Sequence, residues 1–145
     1  MVAQPVPATP VVGYVPGAWD MFHIGHLNIL LRAREHCDHL VVGVVTDEAL
    51  YAMKAKYPIV PLAERMEVLR QLDLVDEVVT DFSSNKLEAY RRRPFDVLFK
   101  GDDWRGTAKG ARLEELMATV GVRVHYFPYT AHTSSSQLRA MLLGH

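Results

Sequence analysis

A single cysteine, Cys37, stands among the 145 residues, so the chain can close no disulfide within itself and can build no cysteine-based metal site. Such usage fits a reducing compartment, and the cytoplasm is the expected location. Long apolar runs are also missing. No window approaches the roughly 18 uninterrupted apolar residues of a membrane span. The opening MVAQPVPATP lacks both the basic start and the continuous apolar stretch of a secretory signal. Residues 1–10 therefore read as a flexible tail ahead of one globular unit, 11–145. Neither sign of charge is in excess: Lys+Arg 16 against Asp+Glu 17 leaves a net charge of -1. Bulk attraction for nucleic acid is thus not expected, and any polyanion must be met by a local cluster of cations.

With 49% hydrophobic and 23% charged residues, the chain suits a single domain with one sizeable core. Short β-rich apolar runs occur at Val11 to Val15, His39 to Thr46, Glu77 to Thr80, Phe95 to Lys100 and Val122 to Phe127. Helical spacing of apolar residues falls between them, at Leu27 to Arg34, Pro61 to Leu74 and Gly110 to Val120. A last helix is expected from Ser134, which forms a capping-box pattern with Gln137. Alternation of this kind predicts an α/β fold: a Rossmann-like parallel sheet of about five strands, helices on both faces, and ligands bound at the carboxyl ends of the strands.

The chemistry is concentrated after the first strand, where Pro16-Gly17-Ala18-Trp19-Asp20-Met21-Phe22 runs into His23-Ile24-Gly25-His26. Histidines three apart at a helix start put two imidazoles on one face, beside backbone N–H groups and a dipole that favour an anion. The same pair also reads as ordinary helix-start residues. Gly17 is expected to permit an unusual backbone angle at the turn, and Gly25 to let a ligand approach the helix. Zinc is not expected, since no cysteine follows at ligand spacing and no H-E-x-x-H is present. Lys54 and Lys56, read as an extended linker after the second strand, can both point at a phosphate group. Taken alone they are also ordinary solvated lysines.

These residues resemble the HxGH signature of the nucleotidyltransferase superfamily. VTDEALYAMKAK, PLAERMEVLRQLDLVDEVV, FDVLFKGDDWRGT and TAHTSSSQL follow in the order of the glycerol-3-phosphate cytidylyltransferase family, covering about Val11 to Leu142. The resemblance implies transfer of CMP from CTP to a phosphorylated small alcohol, glycerol 3-phosphate first, giving CDP-glycerol and pyrophosphate for cell-envelope polymers. Adenylyl transfer to a sugar phosphate, other phosphorylated acceptors and a non-catalytic nucleotide-binding module stay open as alternatives. A homodimer is implied too.

Residue by residue, the resemblance assigns His23, His26 and Lys54 to catalysis. It places Gly17, Ala18, Trp19, Gly25, Lys56 and Asp102 at the nucleotide. Lys54, Arg65 and Lys86 fall to the acceptor; Arg65 matches the family's ER pair, which helps order the active site, and a salt bridge to Glu64 or Glu67 is its bland alternative. Thr133, Ser134, Ser135 and Ser136 offer hydroxyls and helix-start N–H groups to the triphosphate, and Tyr129, Thr130 and His132 belong to the same nucleotide segment. The family reads R-T-E-G-I-S-T-T there; Tyr129 replaces the arginine and His132 the glycine. Mg2+ is expected to arrive with the triphosphate, without a dedicated protein cage. A phosphate monoester is already anionic near neutral pH, so the transfer needs alignment and charge stabilisation more than a protein nucleophile.

Overall fold

The computed structural model describes residues 9–128 and 133–144. The expected tail lies outside them for its first eight residues, as do Tyr129, Thr130 and His132. Five strands form one sheet in the order β3-β2-β1-β4-β5: β1 (Val12–Gly17), β2 (His39–Val45), β3 (Glu77–Asp81), β4 (Val97–Gly101) and β5 (Arg123–Phe127). Every neighbouring pair is parallel. The chain steps outward from β1 to β3, then returns to the far side of β1 to place β4 and β5. The order reverses at β1 and β4, where the carboxyl ends of parallel strands open a crevice.

Six α-helices among the described residues accompany the sheet: α1 (Ile24–Glu35), α2 (Asp47–Lys54), α3 (Leu62–Arg70), α4 (Lys86–Arg92), α5 (Ala108–Ala118) and α6 (Ser135–Leu143). Strand periodicity divides the core into two layers. Val15, Leu40, Val42, Val44 and Phe99 pack against Leu30 and Ala33 of α1 and Met66 and Leu69 of α3. Tyr14, Val41 and Leu98 face the other way, onto Leu113 and Met117 of α5 with Leu87 and Tyr90 of α4. Burial on both sides explains why β2, after His39, is an unbroken run of apolar residues and glycine rather than an alternating one.

Gly43 interrupts that run for a steric reason. A Cβ there would lie 1.9 Å from the Tyr14 hydroxyl, so only glycine lets the phenol cross β2 and donate to Asp81 Oδ2 at 2.7 Å. A polar contact is thereby carried through the core to the carboxyl end of β3.

Two helices correct the sequence reading. The segment after β2 is not an extended linker: Thr46 caps α2 through its hydroxyl, accepting from Ala49 N, and Lys54 is the last helical residue. Lys56 follows only after Ala55 has turned left-handed, at φ 55°. Helix α4, seven residues long and capped by Asn85, ends in Arg91 and Arg92, where the sequence suggests a solvated helix end. Helix α3 ends at Arg70, one turn short of the expected Leu74.

Candidate active site

The β1–α1 loop is held by strain balanced against burial. Trp19 at φ 56° and Met21 at φ 52° occupy the left-handed region, which costs a non-glycine residue about 1–3 kcal/mol. Trp19 is buried, and its Nε1 donates to Gly43 O at 3.1 Å, fixing the turn from the core side. The left-handed positions are therefore not at Gly17, contrary to the expectation. Gly17 is needed because its α-carbon lies under the indole; a Cβ would come within 3.1 Å of the Trp19 ring.

Asp20, next along the loop, is 6% exposed, and its carboxylate accepts from Ile59 N at 2.8 Å and Val60 N at 2.9 Å. One loop acid thus holds the entry to α3. Its carbonyl accepts from the Ser135 hydroxyl of α6 at 2.7 Å, so Asp20 ties three segments together. Sequence reasoning passed over it; its only signal was an acid inside an otherwise apolar turn.

The two histidines have fixed tautomers. His23 is the N-cap of α1, and its Nδ1 accepts from Gly25 N at 3.0 Å. His26 Nδ1 accepts from His23 N at 3.2 Å. With each Nδ1 lone pair engaged, a neutral ring carries its proton on Nε2. The rings stack at 3.9 Å between centroids, so the pair presents two N–H donors from one place. His23 Nε2 lies 3.2 Å from Ser135 Oγ, and the serine hydroxyl in turn donates its hydrogen bond to the Asp20 carbonyl. Gly25 N–H is committed to the His23 ring, so the donors at the helix start are mainly the imidazoles.

Burial keeps both rings neutral. It lowers the His23 pKa, and burial followed by the neighbouring His23 charge brings His26 down to about 3. The ordinary histidine value lies near 6.5, so between pH 6.5 and 3 the unfolded chain binds one proton more than the native chain at this position. Native stability supplied by His26 is complete above pH 6.5 and falls as the pH is lowered. In urea titrations, wild type is expected to lose stability relative to His26→Gln by about 1 kcal/mol per pH unit between pH 6 and 4, the single-proton slope reduced for partial solvation. Parallel acid limbs for the two proteins would refute the neutral, buried ring.

Arg65 orders the site, as its place in the ER pair implies, and departs from the acceptor role. It is 2% exposed and donates from Nε to Val60 O at 2.8 Å, from one terminal nitrogen to Ala18 O at 2.7 Å and Val45 O at 2.8 Å, and from the other to Asp47 Oδ1 at 2.5 Å. Four of its five N–H donors are committed to the scaffold, and neither Glu64 nor Glu67 is among these partners. An acceptor-binding Arg65 does not fit this burial. Its place is behind the site, clamping the β1–α1 loop, the end of β2 and the entry to α3; Asp47, its anionic partner, was also missed.

The cations gather at the same sheet edge. Lys86 is the first residue of α4, and its Nζ donates to Asp81 Oδ2 at 2.8 Å and Ser83 O at 3.1 Å. Asp81 is buried and also accepts from Tyr14. Lys54 and Lys56 are exposed, and Lys54 is close enough to Lys100 to lower its pKa. Asp102 opens the single 3-10 turn Asp102–Trp104, its carbonyl accepting from Arg105 N at 3.1 Å. Of the serine segment, Ser134 caps α6 and Gln137 completes the expected box, at 3.1 and 3.2 Å. Ser135 reaches His23, whereas Thr133 is half-buried and Ser136 exposed. Among Arg91, Arg92 and Arg93, read as a solvated helix end, Arg93 pairs with Glu77 at 2.6 Å and Arg92 lies 4.4 Å over the Phe82 ring.

A family model described as "Cytidylyltransferase-like" matches residues 14–141. An ethanolamine-phosphate cytidylyltransferase of Arabidopsis thaliana is 41% identical over 99 residues, 65% of this chain, and the chain spans only 23% of that relative's length. A glycerol-3-phosphate cytidylyltransferase of Bacillus spizizenii is 32% identical over 124 residues, 85% of this chain and 90% of the relative. A lipopolysaccharide core biosynthesis protein from Thermoplasma volcanium superposes with a TM-score of 0.71 at 21% identity, covering 86% of this chain and 100% of that one, a likeness of fold.

Proposed function

The chain belongs to the cytidylyltransferase-like family, and from that premise we propose that it transfers CMP from CTP to a phosphorylated small alcohol, glycerol 3-phosphate first. The observation that carries the reading is the stacked His23–His26 pair, with both Nδ1 atoms engaged and both Nε2–H groups set as donors, that of His23 toward Ser135 Oγ. An acceptor phosphate oxygen attacks the α-phosphorus; that O–P bond forms while the bridge to the β-phosphorus breaks, and pyrophosphate departs with the electron pair. No proton need leave an already ionised phosphate, so no general base is called for. Neutral N–H donors suit the task, because they meet charge developing on the α-phosphoryl oxygens without a large reorganisation.

The remaining assignments follow from position. The N-terminus of α6, brought to His23 by Ser135, supports a triphosphate near Ser134 and Ser135. Lys54 and Lys86 support an acceptor phosphate at the ends of β3 and α2. Mg2+ is proposed to travel with the triphosphate, where it would neutralise charge on the phosphate oxygens. The engaged Nδ1 lone pairs and protonated Nε2 atoms make these imidazoles donors and not ligands, which suits an ion held by the nucleotide. No helix among the described residues is long and apolar enough to cross a membrane, and a cytoplasmic setting stays part of the proposal. A homodimer is supported by apolar residues exposed on α6, Met141 at 80% and Leu142 at 65%.

Pyrophosphate release decides the matter when four nucleoside triphosphates are crossed with glycerol 3-phosphate, ethanolamine phosphate, choline phosphate and a sugar phosphate. CTP with glycerol 3-phosphate is expected to give the largest kcat/KM. A preference for ATP would move the chain to adenylyl transfer, and silence across the matrix would leave a nucleotide-binding module.

A further inference from the structure

We propose that Lys100 is a third phosphate-binding cation of the acceptor subsite, standing with Lys54 and Lys86, and that it makes this subsite selective for a doubly charged phosphomonoester. The inference rests on the reading above and takes it to a residue that the sequence did not single out.

Lys100 is the fourth residue of β4, at the carboxyl end beside the crevice. Leu98, two residues earlier, belongs to the core layer under α4 and α5, and strand alternation puts Lys100 on that same face. Its ammonium lies 3.9 Å from the Trp104 ring centroid, with the Lys109 ammonium of α5 at 5.7 Å from the same ring. The charged groups that act on it are Lys86 from α4, Lys54 from α2 and Asp103 from the 3-10 turn.

Three ammonium groups therefore meet at one strand edge. Asp81 is bound already, by Lys86 at 2.8 Å and by the Tyr14 hydroxyl at 2.7 Å. Asp103 is the carboxylate that acts on Lys100, against the like charges of Lys86 and Lys54, and Lys109 brings a further ammonium to the same ring, so positive charge is in surplus there. Burial, with Lys86 and Lys54 adding to it, brings the Lys100 pKa down to about 8. Like charges crowded in a half-buried place are costly unless an anion enters. A dianion relieves that repulsion and holds the proton on Lys100; a monoanion does so less completely. Trp104 supplies the wall that keeps the ammonium near the edge when no ligand is bound.

The probes are methyl phosphate, which is doubly charged at pH 7.5 and above, and dimethyl phosphate, which carries one charge. Calorimetric titration without nucleotide is expected to show methyl phosphate binding about tenfold more weakly to K100M than to wild type at pH 7.5, with the preference over dimethyl phosphate reduced and K100R within about threefold of wild type. From pH 8 to 9.5 the wild-type affinity should fall relative to K100R, approaching tenfold per pH unit, because only the lysine deprotonates there. Equal methyl phosphate affinity in K100M, or a constant wild-type to K100R ratio over this range, overturns the proposal. Should K100M fail to fold, the ratio alone decides. In turnover, K100M should raise the acceptor KM about tenfold and leave the CTP KM within twofold. Wild type that binds methyl phosphate through Lys100 but releases no pyrophosphate would sink the transferase reading while sparing the phosphate site.

Discussion

Replacing either His23 or His26 with alanine is expected to lower kcat by about a hundredfold or more, as for loss of one oriented donor to a developing oxyanion. The two single variants should lose nearly the same amount, and the double variant little more than either. The reason is mutual support: His26 Nδ1 accepts from the His23 backbone N–H, and the rings stack at 3.9 Å, so removal of one ring frees the other to turn. Since the active species are neutral N–H donors, His26→Gln, whose amide can occupy part of the Nε2 position, should recover a measurable fraction of the rate. Steady-state kinetics beside circular dichroism checks both halves of the statement. Near-normal kcat in the alanine variants would remove the mechanism, whatever their stability.

Loss of Arg65 should be felt first in the fold. Arg65→Ala leaves the carbonyls of Val60, Ala18 and Val45 and the carboxylate of Asp47 without their donor, and a buried charged centre broken on one side costs about 3–5 kcal/mol. Arg65→Lys keeps the charge but lacks the planar fork that reaches several acceptors at once, so it should recover only part of the loss. Urea unfolding gives the test: a lower midpoint with an unchanged slope is expected. A residue that merely touched the acceptor would instead raise the acceptor KM and leave the midpoint in place.

Much of this was legible before any coordinates. The strands announced themselves through runs such as HLVVGVV, buried on both faces, and the capping pattern of Ser134 and Gln137 is one that short-range chemistry dictates. The His23–His26 pair was legible for the same reason, being a local feature of one helix start. What the sequence hid was long-range. Helix α2 was passed over because its outward face carries Tyr51 and Met53, 48% and 39% exposed, which blurs the amphipathic period. For Arg65 the sequence offered the acceptor or a near salt bridge with Glu64 or Glu67, whereas its real partners lie 5 to 47 residues away. Lys100 looked like the polar end of a strand; only the folding together of α2, α4 and β4 shows that it has like-charged company. Gly17 was read correctly as special and for the wrong reason, since the need comes from an indole two residues on.

The last helix holds a different kind of lesson. No residue of α6 is buried; it is tethered by Ser135 at the Asp20 carbonyl and by Arg139, which donates to Tyr57 O at 2.8 Å. Segments with so little interior contact detach at a fraction of the global unfolding free energy. On heating, competence should therefore fade through undocking of this helix while the sheet is still whole, so that the thermal limit on activity falls below the melting transition and is set by a few polar tethers.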